Sequence, residues 1–178
     1  TGFVLNSEAQ TVTFTYKDQE TPVIEQTATF ENERQKVEIS VEKQDADTEK
    51  AVAGAEFGLY AKNDIEAHGT VIVKAGSLLG KAVSGEDGKA VFTQDLPFGE
   101  YYIKELAAPN GYVFSDEVLE VKAQYQGQEV KVVQLSSVLK NQPTKVVVSK
   151  SDLTTGVELS GATLTVLDKD GNVVDTWK

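Results

Sequence analysis

VEISVEK, residues 37–43, decides the fold: apolar Val37, Ile39 and Val41 alternate with polar Glu38, Ser40 and Glu42. A period of two is what a strand with one buried face produces. Lys43 falls on the apolar parity, so the alternation that buries three aliphatic side chains also aims a lysine at the core. Two other stretches repeat the pattern with different chemistry. In GEYYIKE (99–105) Tyr101, Ile103 and Glu105 share a parity, and in VVQLSSVLKN (132–141) Val133, Leu135, Ser137, Leu139 and Asn141 do. An amine, a carboxyl and a carboxamide are thereby directed inward. Left without partners, three such groups would cost several kcal/mol, so they either satisfy one another or react.

Working outward, strand-like runs are expected at about 37–43, 55–61, 70–74, 78–83, 89–93, 100–106, 112–114, 117–123 and 129–139. Turn signals such as Gly85-Glu86-Asp87-Gly88 and Pro109-Asn110-Gly111 separate them. No helical period runs beyond about two turns. Many short strands with frequent turns predict an all-β, antiparallel sandwich of immunoglobulin-like type.

Composition narrows the chemistry. The 178 residues are 40% hydrophobic, enough to bury a core. Acidic residues outnumber basic ones 28 to 17, for a net charge of −11, which argues against nucleic acid or an anionic lipid surface as partner. With no cysteine, disulfides, thiolate metal sites and thiol nucleophiles are excluded, and any covalent staple is of another kind. No apolar run approaches the roughly 18 residues of a membrane span, and the start at Thr1 shows no leader pattern, so the chain reads as a piece excised from a longer one.

The chain also repeats itself. Gly2-Phe3 corresponds to Gly111-Tyr112 and Asn32 to Asn141, each 109 positions on; Lys43 corresponds to Lys150 and Gly54-Ala55 to Gly161-Ala162, each 107 positions on. That period is the length of a whole domain. One complete module is therefore expected over 36–142, with 1–34 closing a preceding module and 145–178 opening a following one. The polar links Glu33-Arg34-Gln35 and Gln142-Pro143-Thr144 are short, so neighbouring modules of the same polypeptide should sit head to tail with little slack.

At this point a family resemblance enters. VEISVEKQDADTEKAVAGAEFGLY (37–60) resembles the opening strands of the B-type (CnaB) domains of Gram-positive collagen adhesins, the SpaA-like or prealbumin-like domains of surface proteins and pilins. KVVVSKSDLTTGVELSGATLTVLDKDGNVVDTW (145–177) is similar to the same opening. GEYYIKELAAPNGY (99–112) resembles the family's G-x-Y-x-x-x-E-x-x-A-P-x-G-Y stretch, and LKN ending at Asn141 and FEN ending at Asn32 resemble its closing strand. The resemblance implies a prealbumin-like β-sandwich and a spontaneous Lys-Asn isopeptide bond, with Lys43 as nucleophile, Asn141 as electrophile and Glu105 as proton shuttle. It implies no cofactor and no metal. It also implies an extracellular, cell-wall-anchored stalk or spacer, and not an enzyme, because the chemistry is a single autocatalytic turnover. Asn32 and Lys150 would be half-sites whose partners lie outside the chain.

Plainer readings stand beside these. Lys43 could snorkel its ammonium to water from a strand end, Glu105 could form an unreactive buried ion pair with it, and Asn141 could cap a turn. Asp45-Ala46-Asp47-Thr48-Glu49 and Asp168-Lys169-Asp170-Gly171-Asn172 lack the full calcium-loop spacing and read as hairpin turns. His68, the single histidine, reads as a solvated loop residue, and Tyr101, Tyr102, Tyr112 and Trp177 as core aromatics. Two other functions remain open: a module that itself binds a host matrix protein or glycan, and an accessory domain of a secreted enzyme.

Overall fold

The computed structural model describes residues 2–67 and 69–178; the expectation for His68 lies outside the described residues. Among them every regular element is a strand: β1 (Lys36–Asp45), β2 (Glu56–Ala61), β3 (Ile65–Ala67), β4 (Thr70–Val73), β5 (Leu78–Val83), β6 (Lys89–Phe92), β7 (Gly99–Ala107), β8 (Val118–Ala123), β9 (Val132–Asn141), β10 (Leu164–Leu167) and β11 (Val173–Trp177). No helix of the described residues is long and apolar enough to cross a membrane. The chain divides into two compact units, one ending at Pro143 and the other Thr144–Lys178.

In the first unit a three-stranded sheet, β6-β1-β9, and a four-stranded sheet, β5-β2-β7-β8, supply the two layers of a sandwich, and β3 and β4 form a small ribbon. The core draws Ile39 and Val41 from β1, Phe57 and Leu59 from β2, Phe92 from β6, Tyr101 and Ile103 from β7 and Leu139 from β9. Alternation does what it should: β1 buries Val37, Ile39, Val41, Lys43 and Asp45 in strict period. Tyr101 is buried and donates from its hydroxyl to the Pro97 carbonyl at 2.6 Å, and desolvation pushes its pKa up to about 12.

The structure corrects three expectations. The sandwich is not purely antiparallel, because β1 and β9 pair in parallel from Lys36↔Val132 to Asp45↔Asn141. A parallel pair needs a long crossover, and here nearly the whole module is that crossover. Residues 112–114 form no strand; a single bridge, Tyr112↔Pro143, ties them down. Tyr102 is not a core residue, since it has the opposite parity to Tyr101 and stacks on Tyr60 outside, with ring centroids 5.0 Å apart. Tyr112 and Trp177 are half-buried.

Residues 2–34 form no regular strand, yet the arm is hydrogen-bonded. The Asn6 side chain donates to the Glu31 carbonyl at 2.8 Å, and Leu5 N–H to the Gln128 carbonyl at 2.9 Å. Local geometry recurs along the chain at the two offsets found in the sequence. The bridge Phe3↔Arg34 and the bond from Val4 N–H to Glu33 O have counterparts 109 positions on in Tyr112↔Pro143 and Val113 N–H to Gln142 O. Within the second unit, the bridge Ser151↔Glu158 and the bond Leu159 N–H to Lys150 O match Gln44↔Ala51 and Val52 N–H to Lys43 O, 107 positions earlier. Glu49, a non-glycine residue with positive φ (58°), stands where the later turn has Gly156 (φ 69°). The acidic segment Asp168–Asn172 is a turn between β10 and β11, its Asp168 carboxylate accepting from Asp170 and Asn172 N–H, both at 2.9 Å.

Gly88 gives a direct test of the packing that frames β1. Its φ is +76°, and a Cβ there would lie 2.7 Å from the Lys43 carbonyl oxygen. Gly88→Ala should cost about 2 kcal/mol, or roughly 8–16 °C in Tm for a module of this size. Gly127→Ala, with φ +98° but open space around it, should cost about 1 kcal/mol. Thermal unfolding followed by near-UV circular dichroism checks the order; equal losses would contradict it.

Candidate cross-linking site

Lys43, Glu105 and Asn141 come together at one end of the sandwich, with relative exposures of 0%, 3% and 1%. Lys43 and Asn141 sit on the neighbouring parallel strands β1 and β9, where Lys43 pairs in register with Leu139 and Asn141 lies two residues further along the same face. Glu105 faces them from β7 in the opposite sheet. The Asn141 amide bridges the two layers: Nδ2 donates to Glu105 Oε1 at 2.8 Å and to Oε2 at 2.9 Å. Oε2 also accepts the Ser115 N–H at 2.8 Å. Lys43 lies at the eighth of ten positions in β1, near its end. The snorkelling alternative fails, because none of its side chain reaches water.

The hydrogen bonding of the cluster is incomplete. Lys43 Nζ donates to the Leu139 carbonyl at 3.4 Å, a long bond for a group with three donors. Asn141 Oδ1 is buried with no hydrogen-bond partner among the described residues. Burial holds the Lys43 pKa below its ordinary value, against the opposing attraction of Glu105 and Asp45. A lowered pKa favours the neutral amine, whose lone pair is nucleophilic, and on the neighbouring strand lies a carboxamide whose nitrogen is hydrogen-bonded to Glu105.

Three further residues belong to this site that the strand pattern alone did not single out. Asp45 was read as part of an acidic turn, yet it continues the parity of Lys43 and is 8% exposed; counting one more step along β1 finds it. Tyr112 donates from its hydroxyl to Asp45 Oδ2 at 3.0 Å, and Ser115 binds Glu105 through its backbone, a contact no side-chain pattern reveals. Asn32 and Lys150, the candidate half-sites, are both exposed, so neither has the buried setting of Asn141 and Lys43.

The family model for SpaA, described as a prealbumin-like fold domain, matches residues 37–136. Among solved structures, the Bacillus anthracis TIE protein is similar at 26% identity and a TM-score of 0.55, over 82% of this chain and 25% of that one. The pilus 2b backbone protein of group B streptococcus is 22% identical with a TM-score of 0.47, over 63% of this chain and 42% of that one. BcpA, the major pilin subunit of Bacillus cereus, is 25% identical with a TM-score of 0.42, over 62% and 31%. This chain therefore spans less than half the length of each. No curated protein matches it.

The depressed Lys43 pKa has a signed consequence for stability. The unfolded chain, with its lysine near 10.5, holds the proton more tightly than the folded one. Stability from this group is therefore fully present above 10.5 and is lost as pH falls toward the folded value. In Asn141→Ala, where Lys43 stays a free amine, Tm should rise from neutral pH toward 10.5 relative to the Asn141→Ala/Lys43→Met double variant. A difference that is flat or falls with pH would contradict the burial penalty on the ammonium.

Proposed function

The chain belongs to the SpaA family of prealbumin-like domains, and from that premise we propose that it is a structural segment of a Gram-positive surface protein or pilin. Its role is to form part of an extracellular stalk or shaft, with 36–142 as a complete module between the end of one neighbour (1–34) and the start of another (145–178). The module is stapled by an isopeptide bond between Lys43 and Asn141. The observation that carries this reading is a fully buried lysine beside an unpartnered carboxamide oxygen and a carboxyl that already grips the amide nitrogen. The recurrence of turn and bridge geometry at offsets of 107 and 109 supports the modular boundaries.

The chemistry balances without any other reactant. Neutral Lys43 Nζ attacks Asn141 Cγ, and Glu105, already hydrogen-bonded to Nδ2, takes up the proton that Nζ sheds as the new C–N bond forms. Glu105 then passes that proton to Nδ2, the C–Nδ2 bond breaks and ammonia leaves. One C–N bond replaces another, and Glu105 ends as it began. Fixed proximity can contribute about 7 to 11 kcal/mol of the barrier, which is why the reaction needs a fold but no diffusing substrate.

The parallel pairing of β1 with β9 explains the mechanical use. Tension enters at Lys36 and leaves beyond Asn141, at opposite ends of the paired strands, so it loads the pair in shear. With the bond in place the load crosses from Lys43 to Asn141, and the roughly 100 residues between them carry none of it. On a loop-entropy account, closing a loop of that length stabilises by about 4.7 kcal/mol.

Glu105→Ala tests the reading. The variant should keep its β-sheet spectrum, migrate more slowly than wild type in denaturing electrophoresis because its chain is not closed into a loop, and melt well below wild type. If Glu105→Ala migrates and melts as wild type does, Glu105 has no part in bond formation.

A further inference from the structure

Gly111 to Ser115 forms a strap that touches two of the strands bearing the site, β1 and β7, and the residue that follows the third, β9. The Tyr112 hydroxyl donates to Asp45 Oδ2 on β1 at 3.0 Å. Val113 N–H donates at 2.9 Å to the carbonyl of Gln142, the residue after Asn141. Ser115 N–H donates at 2.8 Å to Glu105 Oε2 on β7. The turn after β1 adds a fourth tie, Ala46 N–H to the Asn141 carbonyl at 3.0 Å. Among the described residues, the Tyr112–Asp45 bond is the tie between the strap and the site's strands that uses a side chain of the strap.

Asp45 is built for that contact. Its Oδ1 accepts the N–H groups of Asp47 and Thr48 at 2.9 and 2.7 Å, which fixes the carboxyl and leaves Oδ2 for the phenol. The Thr48 N–H holds its pKa below the ordinary carboxylate range, with help from Tyr112, while Asp45 and partial burial push the Tyr112 pKa up. Near neutral pH the pair is a phenol donating to a carboxylate, the stronger class of hydrogen bond.

We propose, on the reading that Lys43 and Asn141 condense, that the Tyr112–Asp45 hydrogen bond is a latch that sets the rate of that condensation by clamping the strap over the site. Tyr112 and Asp45 are positioning residues. Released, the strap frees Gln142 and the Ser115 contact together, so the electrophile and the proton shuttle both lose their alignment. Misplacement of reacting groups by about 1 Å can cost on the order of a hundredfold in rate. Phe3, 109 positions earlier, makes the matching backbone bridge without a hydroxyl, and Val4 N–H makes the matching hydrogen bond to the Glu33 carbonyl. The backbone geometry thus tolerates a phenylalanine, and Tyr112→Phe removes the latch without removing the ring.

Chains recovered unreacted under denaturing conditions are refolded by dilution, and ammonia loss is followed by intact mass. Tyr112→Phe and Asp45→Ala should react at least about tenfold more slowly than wild type, the loss of one hydrogen bond to a charged group. Asp45→Asn keeps an acceptor and the turn, and should restore the rate to within about threefold. Tyr112→Phe reacting at the wild-type rate overturns the latch. A second measurement uses a Lys43→Met background, in which no bond can form: Tyr112→Phe should raise amide hydrogen exchange at Val113 and Ser115 about tenfold, and unchanged exchange overturns the latch independently. A wild-type chain that refolds without losing ammonia, yet shows the exchange difference, refutes the condensation and with it the latch's role in rate, while leaving the clasp itself in place.

Discussion

A lysine with no surface in water is the constraint on which this structure turns. An isolated ammonium in an apolar core costs far more than one long hydrogen bond returns, and Lys43 has one such bond, at 3.4 Å to the Leu139 carbonyl. The core can relieve the cost by favouring the neutral amine, and burial holds the Lys43 pKa below its ordinary value. A neutral amine held beside a buried carboxamide is a reactant. On the proposed isopeptide reading, the burial that makes the residue expensive as a structural cation makes it useful as a nucleophile, and conversion to an amide removes the charge.

Everything around Lys43 serves that juxtaposition. The parallel pairing of the first and last strands of the module brings Lys43 and Asn141 to one end of one sheet, and the opposing sheet contributes Glu105 at hydrogen-bonding distance from the amide nitrogen. Parallel pairing of terminal strands has a second consequence: tension along the chain shears β1 against β9, engaging their shared hydrogen bonds at once, where a peeling geometry would break them one by one. On the proposed reading, a Lys43–Asn141 amide carries that load covalently, and the β1–β9 hydrogen bonds no longer bear it.

Much of this was legible in the sequence. Period-two alternation carried information about burial, and three off-type residues on apolar parities, Lys43, Glu105 and Asn141, marked the site because a strand gives each residue no choice of face. Alternation says nothing about strand direction, however, so the parallel β1–β9 pair was missed and an antiparallel sandwich was expected. It also fails where a segment makes no ladder: 112–114 has apolar residues but ties to the module through one bridge and a phenol, and its partners Asp45 and Gln142 are set by tertiary contact. Asp45 was hidden by its neighbours, since an acidic run reads as a turn even when its first member completes a strand. For Tyr102, parity and not aromatic character decides the face: one position from Tyr101, it points out of the core and stacks on Tyr60.

The intact mass of the denatured full chain tests the central claim most directly. The account predicts a mass one ammonia below that of the sequence, with the loss located in a branched peptide joining Lys43 to Asn141. A mass equal to that of the sequence, from a chain that was cooperatively folded before denaturation, would contradict it.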